Sequence, residues 1–146
     1  MNAEAVRHAP PEERSTLAEI LERVRLGAQF SAPARVISGD TNATNWAMRE
    51  DGSPVLLDWG RAGLGHPAVD LAILLPGAGW DSAAPARRLG RAYRRHAPNG
   101  VPDNLERMIE VAKSWHVVEF VAAHGPLPDN AMAALWRHVR RVVALV

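Results

Sequence analysis

Two carboxylates and a carboxamide lie within a short stretch of the sequence. Asp40 and Asn45 are five residues apart in one polar loop, and Asp58 follows an apolar segment further along the chain. Carboxylate and carboxamide oxygens are hard ligands that suit Mg²⁺ held together with substrate phosphates. Phosphoryl transfer needs one carboxylate to orient the attacking hydroxyl and oxygen ligands for the metal. Because Asp and Asn are also common in turns, these three residues taken alone favour simple loop caps.

A predicted β-hairpin explains how the three side chains could meet. Two short apolar segments, 46–48 and 55–57, flank an Asp-Gly turn, which is typical of a hairpin. A two-stranded hairpin returns its end to the neighbourhood of its start. We therefore expect Asn45 and Asp58 to lie close together, with Asp40 nearby.

Glycines and a further strand frame this predicted site. Residues 34–37 read as a short strand that runs into the loop of Asp40. Gly39 lets the backbone pass tightly before Asp40, and Gly60 allows a sharp turn after Asp58.

The rest of the chain has helical periodicity. Helices are predicted over 15–27, 67–75, 82–96, 103–123 and from 129 onward. Capping boxes are predicted at Thr16 with Glu19 and at Asp103 with Glu106, and Asp129 is predicted to cap the last helix. The expected fold is α+β and mostly helical, with a small hairpin in the N-terminal third. Residues 1–12 are predicted to be a flexible lead-in and residues 13–146 one domain.

Composition narrows the classes of function. The chain has 146 residues, 47% of them hydrophobic, a formal net charge of +1 and no cysteine. The charge gives no indication of nucleic acid or an acidic membrane as a partner, and disulfides and thiolate sites are excluded. Neither a signal peptide nor a membrane span is apparent, so a cytoplasmic protein is expected.

One predicted helix, 82–96, carries five arginines. Such a run is most often a solvated face, and its single aromatic residue, Tyr93, does not give the repeated aromatic interleaving of a nucleic-acid surface. If this helix faces the site, its charge favours a neutral or anionic hydroxylated substrate over a polycation.

The stretch from Ser38 to Asp70 resembles the catalytic segment of the aminoglycoside phosphotransferase and choline kinase-like family. That segment reads roughly H-G-D-x-x-x-x-N, then a hairpin, then I-D-W/F and a D-P-x-x-D-L-A tail. The residues 39, 40 and 45 match the first part, 57–59 match the second, and 66–72 match the tail, with His66 in place of the acid. Several elements thus occur in the family's order and spacing.

The resemblance implies a role for each matching residue. Asp40 would be the catalytic base, and Asn45 and Asp58 would bind Mg²⁺ and, through it, the phosphates of ATP or GTP. Asp70 would be a buried structural carboxylate that fixes the loop, with Arg61 or a loop amide as its partner. The substrate would be a hydroxyl of a small molecule, and the fold would be a protein-kinase-like C-terminal lobe.

Two departures from the family pattern bear on activity. Ser38 stands where the family usually has His, and serine can replace it in part by a hydrogen bond to the loop backbone. The family also has an N-terminal lobe with a nucleotide-covering loop and a lysine. The sequence before Gly39 offers one helix and one short strand, and the single lysine is Lys113. The nucleotide-binding lobe would then be missing, or supplied by a partner or by a second copy in a homodimer.

Three functional interpretations remain open at this point. The chain is a phosphotransferase, a non-catalytic remnant that serves as a binding or interaction module, or a truncated fragment of such a kinase. His116, His124 and His138 lie on predicted helices without metal-ligand spacing, which favours satisfied surface or core histidines. The five tryptophans mostly fall on apolar stripes and are predicted to belong to the core.

Overall fold

The structure is a computed structural model that describes residues 6–9, 11–27, 35–75, 83–97 and 100–144. It is mostly helical, with two small antiparallel sheets. In chain order the elements are α1 (Arg14–Gly27), β1 (Arg35–Ile37), β2 (Trp46–Met48), β3 (Pro54–Leu56), β4 (Gly63–Gly65), α2 (Pro67–Leu74), α3 (Ala84–His96), α4 (Leu105–His124) and α5 (Asp129–Val143). Within the described ranges, no helix is long and apolar enough to cross a membrane.

The four strands form two separate pairs. The predicted hairpin is present, with β2 and β3 in antiparallel register from Trp46 opposite Leu56 to Met48 opposite Pro54. Strand β4, which was not predicted, pairs antiparallel with β1, so that Val36 lies opposite Leu64. The second pairing brings the segment after β1 and the segment before β4 to the same end of one sheet.

The helices enclose two hydrophobic clusters. The first joins α1, α5 and the C-terminal half of α4 through buried residues that include Leu17, Leu21, Val118, Leu135 and Val139. The second joins α2, α3 and the N-terminal half of α4 through residues that include Leu71, Ala86, Leu105, Met108 and Ile109. Helix α4 belongs to both clusters and is the central element of the fold.

The burial of the N-terminal segment and of the tryptophans can be compared with what the sequence led us to expect. Within the predicted lead-in, Val6 and Ala9 are buried in the first cluster, while the domain division itself stays a prediction. The tryptophans were expected to be mostly core, but of the four that the structure describes only Trp136 is buried. Trp46 and Trp59 are exposed because they lie on the hairpin and beside it, away from both clusters.

The predicted caps of three helices are wrong. Helix α1 begins at Arg14, so Thr16 lies inside its first turn. Helix α4 begins after Asn104 without a side-chain cap, because Glu106 pairs with Arg94 of α3 at 2.8 Å instead. Pro128, which precedes Asp129, occupies the cap position of α5.

The start of α2 is fixed by His66. Its Nδ1 accepts a hydrogen bond from the backbone N–H of Ala68 at 3.1 Å, and Pro67 occupies the first helical position. This confirms the interpretation of His66 as a helix-start residue. Burial lowers the pKa of the His66 side chain below its ordinary value of 6.5, so the ring is neutral and can accept this bond.

We expect His66→Ala to lower stability by about 1 kcal/mol because the cap bond is lost. The wild-type contribution should also depend on pH. The folded-state pKa of His66 is lowered, so its contribution is fully present above pH 6.5 and is lost as the pH falls below that value. Thermal unfolding of both proteins at pH 7.5 and pH 5.5 checks this. His66→Asn, which retains a capping oxygen, should be more stable than His66→Ala at both pH values. Neither variant should show the part of the wild-type loss of stability at pH 5.5 that comes from protonation of His66. Equal melting temperatures for the two variants would contradict the capping role.

Candidate active site

Two loops meet where β1 pairs with β4. The first site loop, residues 38–45, follows β1, and the second site loop, residues 57–62, leads into β4. Gly39 has φ +73°, and a Cβ at this position would lie 2.7 Å from the carbonyl oxygen of Arg61. Only glycine tolerates this close approach at positive φ. The two loops are therefore in direct backbone contact.

Asp70 on α2 holds the first site loop. Its two carboxylate oxygens accept hydrogen bonds from the backbone N–H groups of Ser38 and Gly39, each at 2.8 Å. Its backbone carbonyl accepts a further bond from Thr41 Oγ1 at 2.5 Å. Of the two partners considered for Asp70, the loop amides are the ones that bond to its carboxylate. The start of the loop is thereby attached to a helix of the second cluster.

Ser38 makes one weak contact within the loop. The side chain is buried, and its Oγ accepts a bond from the backbone N–H of Asp40 at 3.4 Å. This distance is at the long end for a hydrogen bond. Serine thus reaches the loop backbone beside Asp40, which is the kind of contact expected from the sequence.

Asn45 connects the two site loops. Its Nδ2 donates to the carbonyl oxygen of Asp40 at 2.8 Å, and its own backbone carbonyl accepts from the N–H of Leu57 at 2.8 Å. One residue therefore bonds to Asp40 on one side and to the neighbour of Asp58 on the other. The carboxamide Oδ1 accepts no hydrogen bond from any residue that the structure describes.

Asp58 has an unusual backbone conformation. It is the one described residue other than glycine with a positive φ, at +52°. Such conformations cost free energy in most residues, and Asp tolerates them better than most. Its Oδ1 accepts from the N–H of Gly60 at 3.1 Å, and the side chain is exposed. The turn that Gly60 was expected to provide is present, and it leaves Oδ2 of Asp58 open to solvent.

Asp40 is partly buried and polar contacts hold its side chain in place. Its Oδ1 accepts from Nδ2 of Asn42 at 2.7 Å. Asn42 in turn caps the short 3₁₀ turn Ala43–Asn45 through its Oδ1. A carboxylate has more acceptor positions than this one bond uses, so Asp40 can still accept a proton or a hydrogen bond from a ligand.

The donor set suits a hard cation better than a transition metal. No cluster of three or more His, Cys, Asp or Glu side chains with metal-binding geometry occurs in the described part of the chain. The oxygens left over are the Oδ1 of Asn45 and the Oδ2 of Asp58, at the ends of two loops in backbone contact. Few protein oxygens of this kind are typical of Mg²⁺ that is shared with phosphates.

A small cavity that Gly39 lines was not anticipated from the sequence. It has a volume of about 80 Å³, and its wall includes Gly39, Arg61 and, from α4, Trp115, His116 and Glu119. The indole Nε1 of Trp115 donates to Oε1 of Glu119 at 2.9 Å, which fixes both side chains. His116 is 71 or more positions from the first site loop in the sequence, so no local spacing could reveal it.

The surroundings of His116 make it a neutral ring near the site. Burial is the main cause that lowers its pKa below 6.5, and Lys113 and Arg61 lower it further, while Glu119 and Asp40 act in the opposite direction. His116 was expected to be a satisfied surface or core histidine, and it lies in the wall of the cavity that Gly39 and Arg61 also line. His124 is exposed and His138 is buried.

Lys113 has a structural position. It is only 6% exposed, and its Nζ donates to the carbonyl oxygen of Leu75, beyond the end of α2, at 2.8 Å. Burial lowers the pKa of this ammonium group. The single lysine of the sequence therefore joins α4 to α2.

Comparison with known proteins gives one result. The model of the phosphotransferase enzyme family matches residues 1–111, about three quarters of the chain and the whole of both site loops. No curated protein and no solved structure matches the chain.

Proposed function

The chain belongs to the phosphotransferase enzyme family, and on that premise we propose that it transfers the terminal phosphoryl group of ATP or GTP to a hydroxyl of a small molecule. In this proposal Asp40 is the base, and Asn45 and Asp58 bind Mg²⁺. Ser38, Gly39, Gly60 and Asp70 support the two loops. The fold is proposed to correspond to the C-terminal lobe of a protein-kinase-like enzyme.

The observation that carries the proposal is the position of Asn45 between the two site loops. Its side chain bonds to the backbone of Asp40, and its backbone bonds to Leu57, next to Asp58. The bond to Leu57 continues the hairpin of β2 and β3, whereas the side-chain bond to Asp40 joins this hairpin to the loop of the proposed base. In this proposal the base and the oxygen ligands of Mg²⁺ come from two loops that Asn45 holds together, which suits phosphoryl transfer.

The residues of the chain have separate tasks in the proposed reaction. Asp40 accepts the proton of the substrate hydroxyl while the oxygen of that hydroxyl forms a bond to the terminal phosphorus. The bond from that phosphorus to the bridging oxygen breaks, and the nucleoside diphosphate leaves. Asn42 and Asn45 keep the Asp40 carboxylate and its backbone in place through the bonds described above. Bound Mg²⁺ supplies charge neutralisation on the phosphates.

The cavity lined by Gly39, next to Asp40 in the sequence, is the proposed entry point for the acceptor. Its wall combines apolar side chains with the fixed pair of Trp115 and Glu119 and the neutral ring of His116. A neutral hydroxyl group can bond to such a wall without bringing a charge into it. At about 80 Å³ the cavity admits one arm of a substrate, so we propose a small hydroxylated molecule as the substrate class.

The nucleotide needs a cover that the described elements do not provide. We propose that a nucleotide-covering segment outside these 146 residues, a partner protein or a second copy of this chain supplies it. An exposed apolar face on the two sheets supports this. Val36 and Leu64, opposite each other on β1 and β4, are 72% and 77% exposed, and Met48 on β2 is exposed as well.

The same apolar face favours a second candidate function, a binding module without catalysis. Apolar side chains at paired positions of a sheet commonly mark an interaction surface. In this alternative the site loops keep their shape for structural reasons, and the face of Val36 and Leu64 binds a protein partner.

Calorimetric titration with ATP in the presence and absence of Mg²⁺ tests the proposed function. We expect binding that requires Mg²⁺ and weakens by about tenfold or more in Asp58→Asn, because a metal ligand is lost. Asp51→Asn is the matched control, since Asp51 lies in the exposed turn of the same hairpin and bonds only to Ser53. Absence of Mg²⁺-dependent binding at millimolar ATP and GTP would exclude a stand-alone kinase and leave the binding module.

A further inference from the structure

A second and larger cavity lies between the start of α1 and α5. It has a volume of about 630 Å³, within the range of small-molecule sites. Its walls come from residues 7–9, Arg14 at the start of α1, the segment before α5, and α5 itself. None of its lining residues belongs to either site loop.

The cavity has an apolar floor and a cationic rim. Ala9, Met132 and Trp136 on the floor are buried members of the first hydrophobic cluster. Four arginines, Arg7, Arg14, Arg137 and Arg140, lie around it, against the single carboxylate of Asp129. With a chain net charge of only +1, this is a marked local concentration of positive charge.

Two of the arginines carry charge that no carboxylate cancels. Arg14 is fixed by bonds from its Nε to the carbonyl of Ala9 and from its Nη2 to the carbonyl of Arg7, both at 3.0 Å. Backbone carbonyls are neutral, so the guanidinium keeps its full charge in a defined position. Arg137 is exposed and forms no ion pair or hydrogen bond with any described residue.

An aromatic ring accompanies this charge. Trp136 is 3% exposed and lines the cavity, and its indole Nε1 has no hydrogen-bond partner within the described ranges. Solvent does not reach this nitrogen either, so Trp136 offers its ring, and not its N–H, to a molecule in the cavity.

We propose that this cavity is a second binding site, for a small organic anion that carries a phosphate or carboxylate group on an apolar or aromatic body. The apolar body rests on the floor of Ala9, Met132 and Trp136. The anionic group binds Arg14 and Arg137, where charge-assisted hydrogen bonds from guanidinium groups suit its oxygens.

The floor distinguishes this ligand class from a bare anion. Inorganic phosphate would use the arginines and leave the apolar floor in contact with water. A neutral aromatic molecule would cover the floor and leave the arginines without a counterion. The two halves of the cavity together therefore favour a ligand with both properties.

Titration followed by ¹H–¹⁵N NMR tests the proposal with phenyl phosphate as the probe. The five tryptophans give five indole N–H signals, and Trp136→Phe identifies the one from Trp136. We expect phenyl phosphate to shift this signal at millimolar concentration. Inorganic phosphate and benzyl alcohol should each bind about tenfold more weakly or worse. An unmoved Trp136 signal, or equal binding of benzyl alcohol, overturns the proposal.

Arginine variants give a second readout that does not depend on the indole. Arg137→Gln should weaken phenyl phosphate binding about tenfold at an unchanged melting temperature. Arg88→Gln on α3 is the matched control and should bind as the wild type does, because Arg88 is exposed and lies outside the cavity. If both variants lost affinity for phenyl phosphate equally, the effect would come from the net charge of the protein, and the proposal would be overturned.

A final comparison separates a free organic anion from a lipid headgroup. Vesicles of neutral phospholipid with and without one fifth anionic phospholipid are sedimented with the protein. We expect the protein to stay in the supernatant in both cases while it binds phenyl phosphate. Sedimentation with anionic vesicles alone, without a response to phenyl phosphate, would overturn the proposed ligand class.

Discussion

Asp40→Asn is expected to lower the rate of phosphoryl transfer by about 10²–10⁴-fold, the usual contribution of a general base. The amide cannot accept the proton of the attacking hydroxyl at neutral pH. Its oxygen can still accept the bond from Nδ2 of Asn42, so the loop should keep its shape. The rate is measured as Mg²⁺-dependent ADP formation from ATP with a panel of small alcohols and polyols as acceptors.

The same preparation must show that Asp40→Asn has lost chemistry and not structure. Its melting temperature should lie close to that of the wild type, and its affinity for ATP with Mg²⁺ should change little, because the metal ligands remain. Asp51→Asn should form ADP at the wild-type rate. A variant at position 40 that retained more than a tenth of the wild-type rate would contradict the role of Asp40 as base.

Local patterns in the sequence predicted most elements of this fold. The hairpin of β2 and β3 was predicted because its Asp-Gly turn and apolar flanks act over a few residues. Strand β4 was missed because Gly63-Leu64-Gly65 has no strand pattern of its own. It forms through its pairing with β1, which is a tertiary interaction.

Tertiary contacts also explain why a helix cap that the sequence predicted is absent. The spacing of Asp103 and Glu106 satisfies a capping box, yet Glu106 bonds to Arg94 on α3 instead. A bidentate carboxylate–guanidinium pair is stronger than a bond to one backbone N–H, so the contact between helices prevails. His66 was read correctly because its cap bond is local, to the N–H two residues on.

In the candidate site, too, the contact that a local pattern sets was predicted and the contacts that tertiary packing sets were not. The proximity of Asn45 to the neighbour of Asp58 follows from the hairpin and was predicted. The approach of Arg61 to Gly39 depends on the pairing of β1 with β4, and the position of His116 depends on the packing of α4 against α2. Neither contact has a sequence signal, because each joins segments that are far apart in the sequence and meet only through tertiary packing.

Asp70→Ala is expected to produce the largest loss of stability among the changes considered. Its carboxylate accepts two backbone N–H bonds at 2.8 Å, from Ser38 and Gly39. Hydrogen bonds to charged groups contribute about 1.5–3 kcal/mol each, so the loss should be about 3–5 kcal/mol. For a chain of this size that corresponds to a fall of roughly 10 °C in melting temperature. Asp103→Ala, at an exposed position before α4, is the control and should change it little.

Hydrogen exchange distinguishes a specific loss of the first site loop from a general loss of stability. In Asp70→Ala the amides of Ser38 and Gly39 should exchange faster by a larger factor than the amide of Leu57, whose bond to Asn45 does not involve Asp70. In Asp70→Asn the exchange rates of these two amides should lie between those of the wild type and Asp70→Ala. The single oxygen of Asn can accept one of the bonds while its NH₂ group faces the other donor. If Ser38 and Leu57 gained exchange by the same factor, Asp70 would support the fold as a whole and not the loop that carries Asp40.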